Sequence, residues 1–140
     1  MASFAKYAVI AMVGAGVALA VWRIAAPSSD AGIVKVSVPS LSSLASAGEV
    51  AFEATCAACH GINGAGTENG PPLVHDIYNP GHHPDEAFYL AARRGTRQHH
   101  WSFGNMPPLD DVTDEDLLAI VAYVRELQQA NGIFYQPHRM

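Results

Sequence analysis

The chain has 140 residues and a formal charge of −5, a balance that excludes nucleic acid as a partner. The excess is concentrated late: from residue 44 onward there are twelve acidic and five basic side chains, a balance of −7, because Lys6, Arg23 and Lys35 all precede that point. Its two cysteines stand in one motif, so no further thiol is available for a structural disulfide or a four-ligand metal site.

Residues 7–22 form an uninterrupted apolar run rich in Ala, Val and Gly, bounded by Lys6 and Arg23. As a helix these sixteen residues would rise about 24 Å, short of a bilayer core of about 30 Å. The flanking cations can snorkel, and Tyr7 and Trp22 suit the two interfaces, so residues 1–26 are expected to be a transmembrane anchor. The competing reading is a signal peptide cut near Ser29-Asp30-Ala31. Trp22 and Arg23, directly after the apolar run, fit a retained anchor better. Either segment would export the rest of the chain. Residues 27–45, rich in Ser with Pro39, read as a flexible linker whose random-coil span is about 22–26 Å. Tethering would raise the local concentration of residues 46–140 at partners in the same membrane.

The most informative stretch is Cys56-Ala57-Ala58-Cys59-His60. At this spacing two thiols can bond the two vinyl groups of one haem while the adjacent imidazole reaches the iron. Zinc would require a second ligand pair. A thioredoxin-like redox pair needs a βαβ setting with its first cysteine at a helix start, whereas Glu49, Val50, Phe52, Glu53 and Thr55 put Cys56 at a helix end. A plain disulfide leaves His60 without a role.

Residues 61–72 hold four glycines and two prolines, a loop able to pass close to a flat cofactor. Pro84-Asp85-Glu86 then opens a helix to Arg94, with acids matched to the dipole and Gly95 as its stop. Between this helix and the next lies Gly104-Asn105-Met106-Pro107-Pro108, where a loop places a thioether 46 positions after His60. Met106 is therefore the expected second axial ligand; an ordinary core methionine would not sit between a glycine and two prolines. Thr113-Asp114-Glu115-Asp116 resembles a capping box, and Leu117, Ile120, Val121, Val124 and Leu127 recur at helical spacing until Asn131-Gly132. The natural partner for that apolar face is the first helix, through Phe52. A domain of roughly 95 residues has a modest core, so the haem is expected to be a large part of it.

Taken in order, these features resemble the class I, mitochondrial cytochrome c-like monohaem cytochromes c, over nearly all of residues 46–131. The resemblance rests on Gly48 and Phe52, Cys56-Ala57-Ala58-Cys59-His60-Gly61, Gly70-Pro71-Pro72-Leu73, Met106-Pro107 and Tyr123. It implies an all-α domain of three or more helices around one haem c bound through Cys56 and Cys59, with the first and last helices crossing at Gly48 and Phe52. It also implies that the Pro71 carbonyl accepts the other ring N–H of His60. With both axial sites filled, no substrate would coordinate, and the chain would act as a one-electron carrier, not an enzyme, among respiratory or photosynthetic complexes. By the same resemblance its place is the periplasmic side of a bacterial inner membrane. A fixed subunit of a membrane oxidoreductase, or a haem sensor or enzyme with a displaceable distal ligand, are the alternatives.

Arg93, Arg94, Arg97, His99, His100 and Trp101 form a cationic and N–H-rich cluster that could meet a buried propionate. Trp101, with its indole N–H, and Arg94 are the residues expected to do so. His82-His83 and His99-His100 leave open a histidine in place of Met106 or a second metal such as copper. Asp110, Asp111, Asp114, Glu115 and Asp116 would steer docking to basic patches on a partner, in a salt-dependent way.

Overall fold

The computed structural model describes residues 7, 12–17 and 32–137. The chain divides into two compact units, Met1–Asp30 and Ala31–Met140. Most of the expected anchor lies outside the described residues; Tyr7 and residues 12–17 are helical. Among the described residues, no helix is long and apolar enough to cross a membrane.

The second unit holds four α-helices in chain order: α1 Ser43–Thr55, α2 Ala57–His60, α3 Asp85–Arg94 and α4 Asp114–Ala130. Two 3-10 turns, Ile62–Gly64 and Asp76–Tyr78, lie between α2 and α3, and no strand occurs among the described residues. The all-α expectation holds for this unit. Helix α4 begins where its sequence said it would, with Thr113 and Asp116 exchanging side-chain-to-backbone bonds in a complete capping box. Helix α3 is dipole-matched at both ends, with Asp85 and Glu86 in its first turn and Arg93 and Arg94 in its last.

The core is the crossing of α1 and α4. Helix α4 buries Leu117, Ile120, Tyr123, Val124 and Leu127, the 3–4 spacing of one apolar stripe. Gly48 sits where the two backbones touch: a Cβ built there would come within 1.9 Å of the Ala119 carbonyl oxygen. One turn further on, Phe52 meets Tyr123 edge-on, ring centroids 5.5 Å apart, and both side chains are 0% exposed. The Tyr123 hydroxyl donates to Asn63 Oδ1 at 2.8 Å. Asn63 has φ +56°, a left-handed conformation that asparagine tolerates better than most residues.

Burial of the Tyr123 phenol, with the Glu49 and Glu53 carboxylates adding to it, pushes its pKa up to about 12 from an ordinary 10. The folded protein therefore holds this proton more tightly than the unfolded chain does. The associated stability is fully present below pH 10 and is lost as pH climbs toward 12. The denaturation midpoint should fall across that window, and Tyr123→Phe should flatten the fall. Equal slopes in the two proteins would contradict this account.

The expected linker over 27–45 is packed against the domain through much of its described part. Val34, Val36 and Leu41 pack on the core, and Val34 N–H donates to the Ala65 carbonyl at 2.8 Å. Ser37 and the Asn131 side chain exchange two bonds of 2.8 Å, and Ser42 N–H donates to Glu126 Oε2 at 2.9 Å. Ser42 also caps α1, which starts three residues before the expected boundary at residue 46. The physical reason lies in the short alternating run: an extended backbone places Val34 and Val36 on one face, and that face is half-buried against the core.

The loop between α2 and α3 is held against α4 by two polar residues within the helix's otherwise apolar side. Arg125 donates to the Tyr78 carbonyl at 2.9 Å, the His83 carbonyl at 2.6 Å and Asp85 Oδ1 at 2.7 Å, while its guanidinium lies 4.9 Å from the Phe88 ring centroid. Gln128, 1% exposed, donates to the carbonyls of Leu73 and Tyr78. A segment without α-helix or sheet has several of its backbone acceptors met by side chains instead.

Candidate functional site

Helix α1 ends at Thr55, and Cys56 is both its cap and the start of the next helical turn. His60 N–H donates to the Cys56 carbonyl at 2.9 Å, closing that turn. Residues three and four apart share a helix face, so Cys56 is brought beside Cys59 and beside His60 by local geometry alone. The chain leaves this turn at Gly61, whose φ of +75° suits glycine and whose Cβ would strike the Gly66 carbonyl oxygen at 2.4 Å.

His60 Nδ1 lies 2.9 Å from the Pro71 carbonyl oxygen. A carbonyl can only accept, so Nδ1 carries the proton and Nε2 presents its lone pair. Burial pushes the imidazole pKa down, against the opposing pull of the Pro71 carbonyl, which keeps the ring neutral and able to bind a metal. Burial likewise raises the Cys56 thiol, partly offset by the Thr55 hydroxyl 3.3 Å from its sulfur.

Met106 is placed by its backbone. It forms an isolated antiparallel bridge with Thr96, each residue donating its N–H to the other's carbonyl at 2.9 Å. Gly95 makes the approach possible: it ends α3 with φ +71°, and a Cβ there would lie 2.5 Å from the Met106 carbonyl oxygen. The loop between the bridged residues is tied internally, with Gln98 N–H donating to Asn105 Oδ1 at 3.1 Å and Gly104 N–H to Gln98 Oε1 at 2.9 Å.

These elements enclose a cavity of about 450 Å³, within the range of cofactor clefts. Cys56, His60, Pro71, Arg94, Trp101 and Met106 all line it. Cys59 is exposed, and its carbonyl accepts from the Thr67 hydroxyl at 2.5 Å. The rest of the wall is largely apolar, with Phe52, Leu73, Phe88, Leu109, Ile120 and Val121 contributed from every part of the domain. A flat apolar macrocycle fits such a wall, with a nitrogen and a sulfur donor available to its metal.

The cationic cluster read from the sequence is divided by the fold. Arg94 and Arg97 line the cavity, whereas Arg93 turns to Asp114 and the Val112 carbonyl. Trp101 lines the cavity, and its indole N–H donates to the Tyr78 hydroxyl at 3.0 Å. Having accepted that bond, Tyr78 keeps its own proton to donate, and burial raises its pKa so that it stays protonated. Tyr78 lines the cavity and is the polar residue that sequence reasoning missed. It stands 23 positions from Trp101 in another loop, with no periodicity to couple the two.

The cytochrome c family profile matches residues 45–128, and the chain belongs to the cytochrome c family. The domain binds covalently attached haem c, with Cys56 and Cys59 at the attachment spacing, and haem-based electron transfer is what such a domain implies. No curated protein matches the chain.

Proposed function

We propose that this chain carries single electrons between membrane complexes, and that His60 Nε2 and the Met106 thioether would hold the iron of one haem c. The bound haem supplies a one-electron iron couple, and the protein tunes and shields it. The observation that carries this reading is that His60, oriented by the Pro71 carbonyl, and Met106, anchored by Thr96, line one cavity with Cys56. Pro71 sets the tautomer and basicity of the nitrogen ligand. The apolar wall keeps water from the site, and Tyr78 and Arg94 offer donors to acidic groups at its edge.

Residues 7–22, flanked by Lys6 and Arg23, hold the domain at the periplasmic face of a bacterial inner membrane. Asp110, Asp111 and Glu115 provide an acidic docking surface for basic patches on partner complexes. Asp114 and Asp116 serve the fold first, through Arg93 and the Thr113 cap.

Carbon monoxide tests the ligand set. The reduced protein at neutral pH should keep its visible spectrum under the gas, because both axial sites are filled. Ready binding would favour a sensor or enzyme with a displaceable distal ligand.

A further inference from the structure

Seven histidines occur in this chain, and the haem takes one of them. Two adjacent pairs far apart in sequence are brought together by the fold. His82 Nε2 and His100 Nε2 lie 3.2 Å apart, and one ring nitrogen from each of His82, His83 and His100 falls within 4.8 Å of the other two. We propose that these three imidazoles form a second metal site, taking one divalent transition-metal cation at the rim of the haem cavity, with Cu²⁺ preferred over Zn²⁺.

The separation fits. Two nitrogens bound at about 2.0–2.1 Å stand about 3.3 Å apart on a tetrahedral ion and about 2.9 Å apart in neighbouring positions of a square-planar one, so the His82 and His100 nitrogens, 3.2 Å apart, lie between the two chelating distances. The third nitrogen, within 4.8 Å of the other two, needs to close by up to about 1.5 Å, within reach of a side-chain torsion on the exposed His100 or the half-buried His83.

The donors are also of the right kind. His83 Nδ1 donates to the Ile77 carbonyl at 2.7 Å, which fixes its tautomer and leaves Nε2 as the lone-pair nitrogen. A carbonyl on the far ring nitrogen is the support that metal-bound imidazoles usually have. Three imidazoles without a carboxylate or thiolate disfavour Ca²⁺ and Mg²⁺, which want oxygen, and place Cu²⁺ above Zn²⁺ in the affinity order of divalent ions.

Both carrying loops are held in place, which reduces the ordering cost of binding. His82 and His83 N–H groups both donate to the Asn79 carbonyl, and the Asn79 side chain caps Gly81 N–H at 2.9 Å. Arg125 holds the His83 carbonyl from α4. On the other side, His99 Nδ1 bonds the Arg97 carbonyl at 2.8 Å, and the His99 and His100 rings pack with centroids 4.2 Å apart. His83 and His99 line the haem cavity, whereas His82 and His100 do not, so the site adjoins that cavity through His83 alone.

The test uses the haem-loaded full chain, freed of adventitious metal by chelator and titrated with Cu²⁺ alone and then against Zn²⁺. One Cu²⁺ per chain should bind, with an electron paramagnetic resonance signal showing hyperfine coupling to three nitrogens, and should survive a tenfold excess of Zn²⁺. His82→Gln and His100→Gln should each weaken binding by about tenfold or more, by analogy with the loss of supporting contacts at metal sites. The double variant serves as the folding control through its haem spectrum, which should be unchanged. Copper held equally well by the double variant, or coupled to fewer than two nitrogens, would overturn the site and point to His138 or the chain end. Neither readout depends on electron transfer, so the haem assignment stands or falls separately.

Discussion

Replacing Met106 by alanine lowers the midpoint potential by a tenth of a volt or more, a fraction of the ~0.8 V that axial ligands control, and opens the reduced iron to carbon monoxide. A soft thioether favours the ferrous state, and its loss leaves water or nothing in that position. The fold should survive the change. The backbone of Met106 ties the loop through two 2.9 Å bonds to Thr96, and alanine keeps both. Haem content should also be unchanged, because Cys56 and Cys59 hold the group and His60 stays oriented by Pro71. Redox titration beside a visible spectrum reads the effect directly. A Met106→Ala protein with the parent's spectrum and potential would show that the sulfur does not bind the iron.

Gly48→Ala should cost about 3 kcal/mol or more, at or beyond the top of the usual range for overpacking. The added carbon has no side chain to push aside. It meets the Ala119 carbonyl oxygen at 1.9 Å, its carbon at 2.4 Å and the Ile120 nitrogen at 2.9 Å, all of them backbone atoms inside α4. Relief requires the two helices to separate, which would break the contact between Phe52 and Tyr123 and open a wall of the haem cavity. Val50→Ala on the same helix is the control, since Val50 is 71% exposed. Denaturant titration of the haem-loaded proteins should show the Gly48 variant far less stable, or unable to fold, and the Val50 variant little changed. A Gly48→Ala protein as stable as the parent would mean that α1 and α4 do not cross where the structure has them.

How much could be read in advance depended on the range of the interaction. The attachment turn is local: five consecutive residues set the thiols and imidazole by helical geometry, so Cys56, Cys59 and His60 were legible without any fold. Helix α4 was legible for the same reason, its cap and apolar stripe being written within 18 residues from Thr113 to Ala130. The close packing at Gly48 was anticipated only through family likeness, because a glycine in a helix does not by itself say what it approaches. Residues 34–42 were misread because serine and proline suit an ordered strap as well as a free chain. The difference is made by Asn131 and Glu126, about ninety residues away.

Sequence alone determined that this is a haem-attaching helical domain, because the attachment motif and the helical patterns are specified by residue type and short spacing. Tertiary structure decided that Trp101 bonds Tyr78, that Arg125 and Gln128 hold an irregular loop, and that two histidine pairs meet. Each of these joins groups 18 to 55 positions apart. No periodic pattern spans such a gap; only packing of the elements between brings the partners within bonding distance.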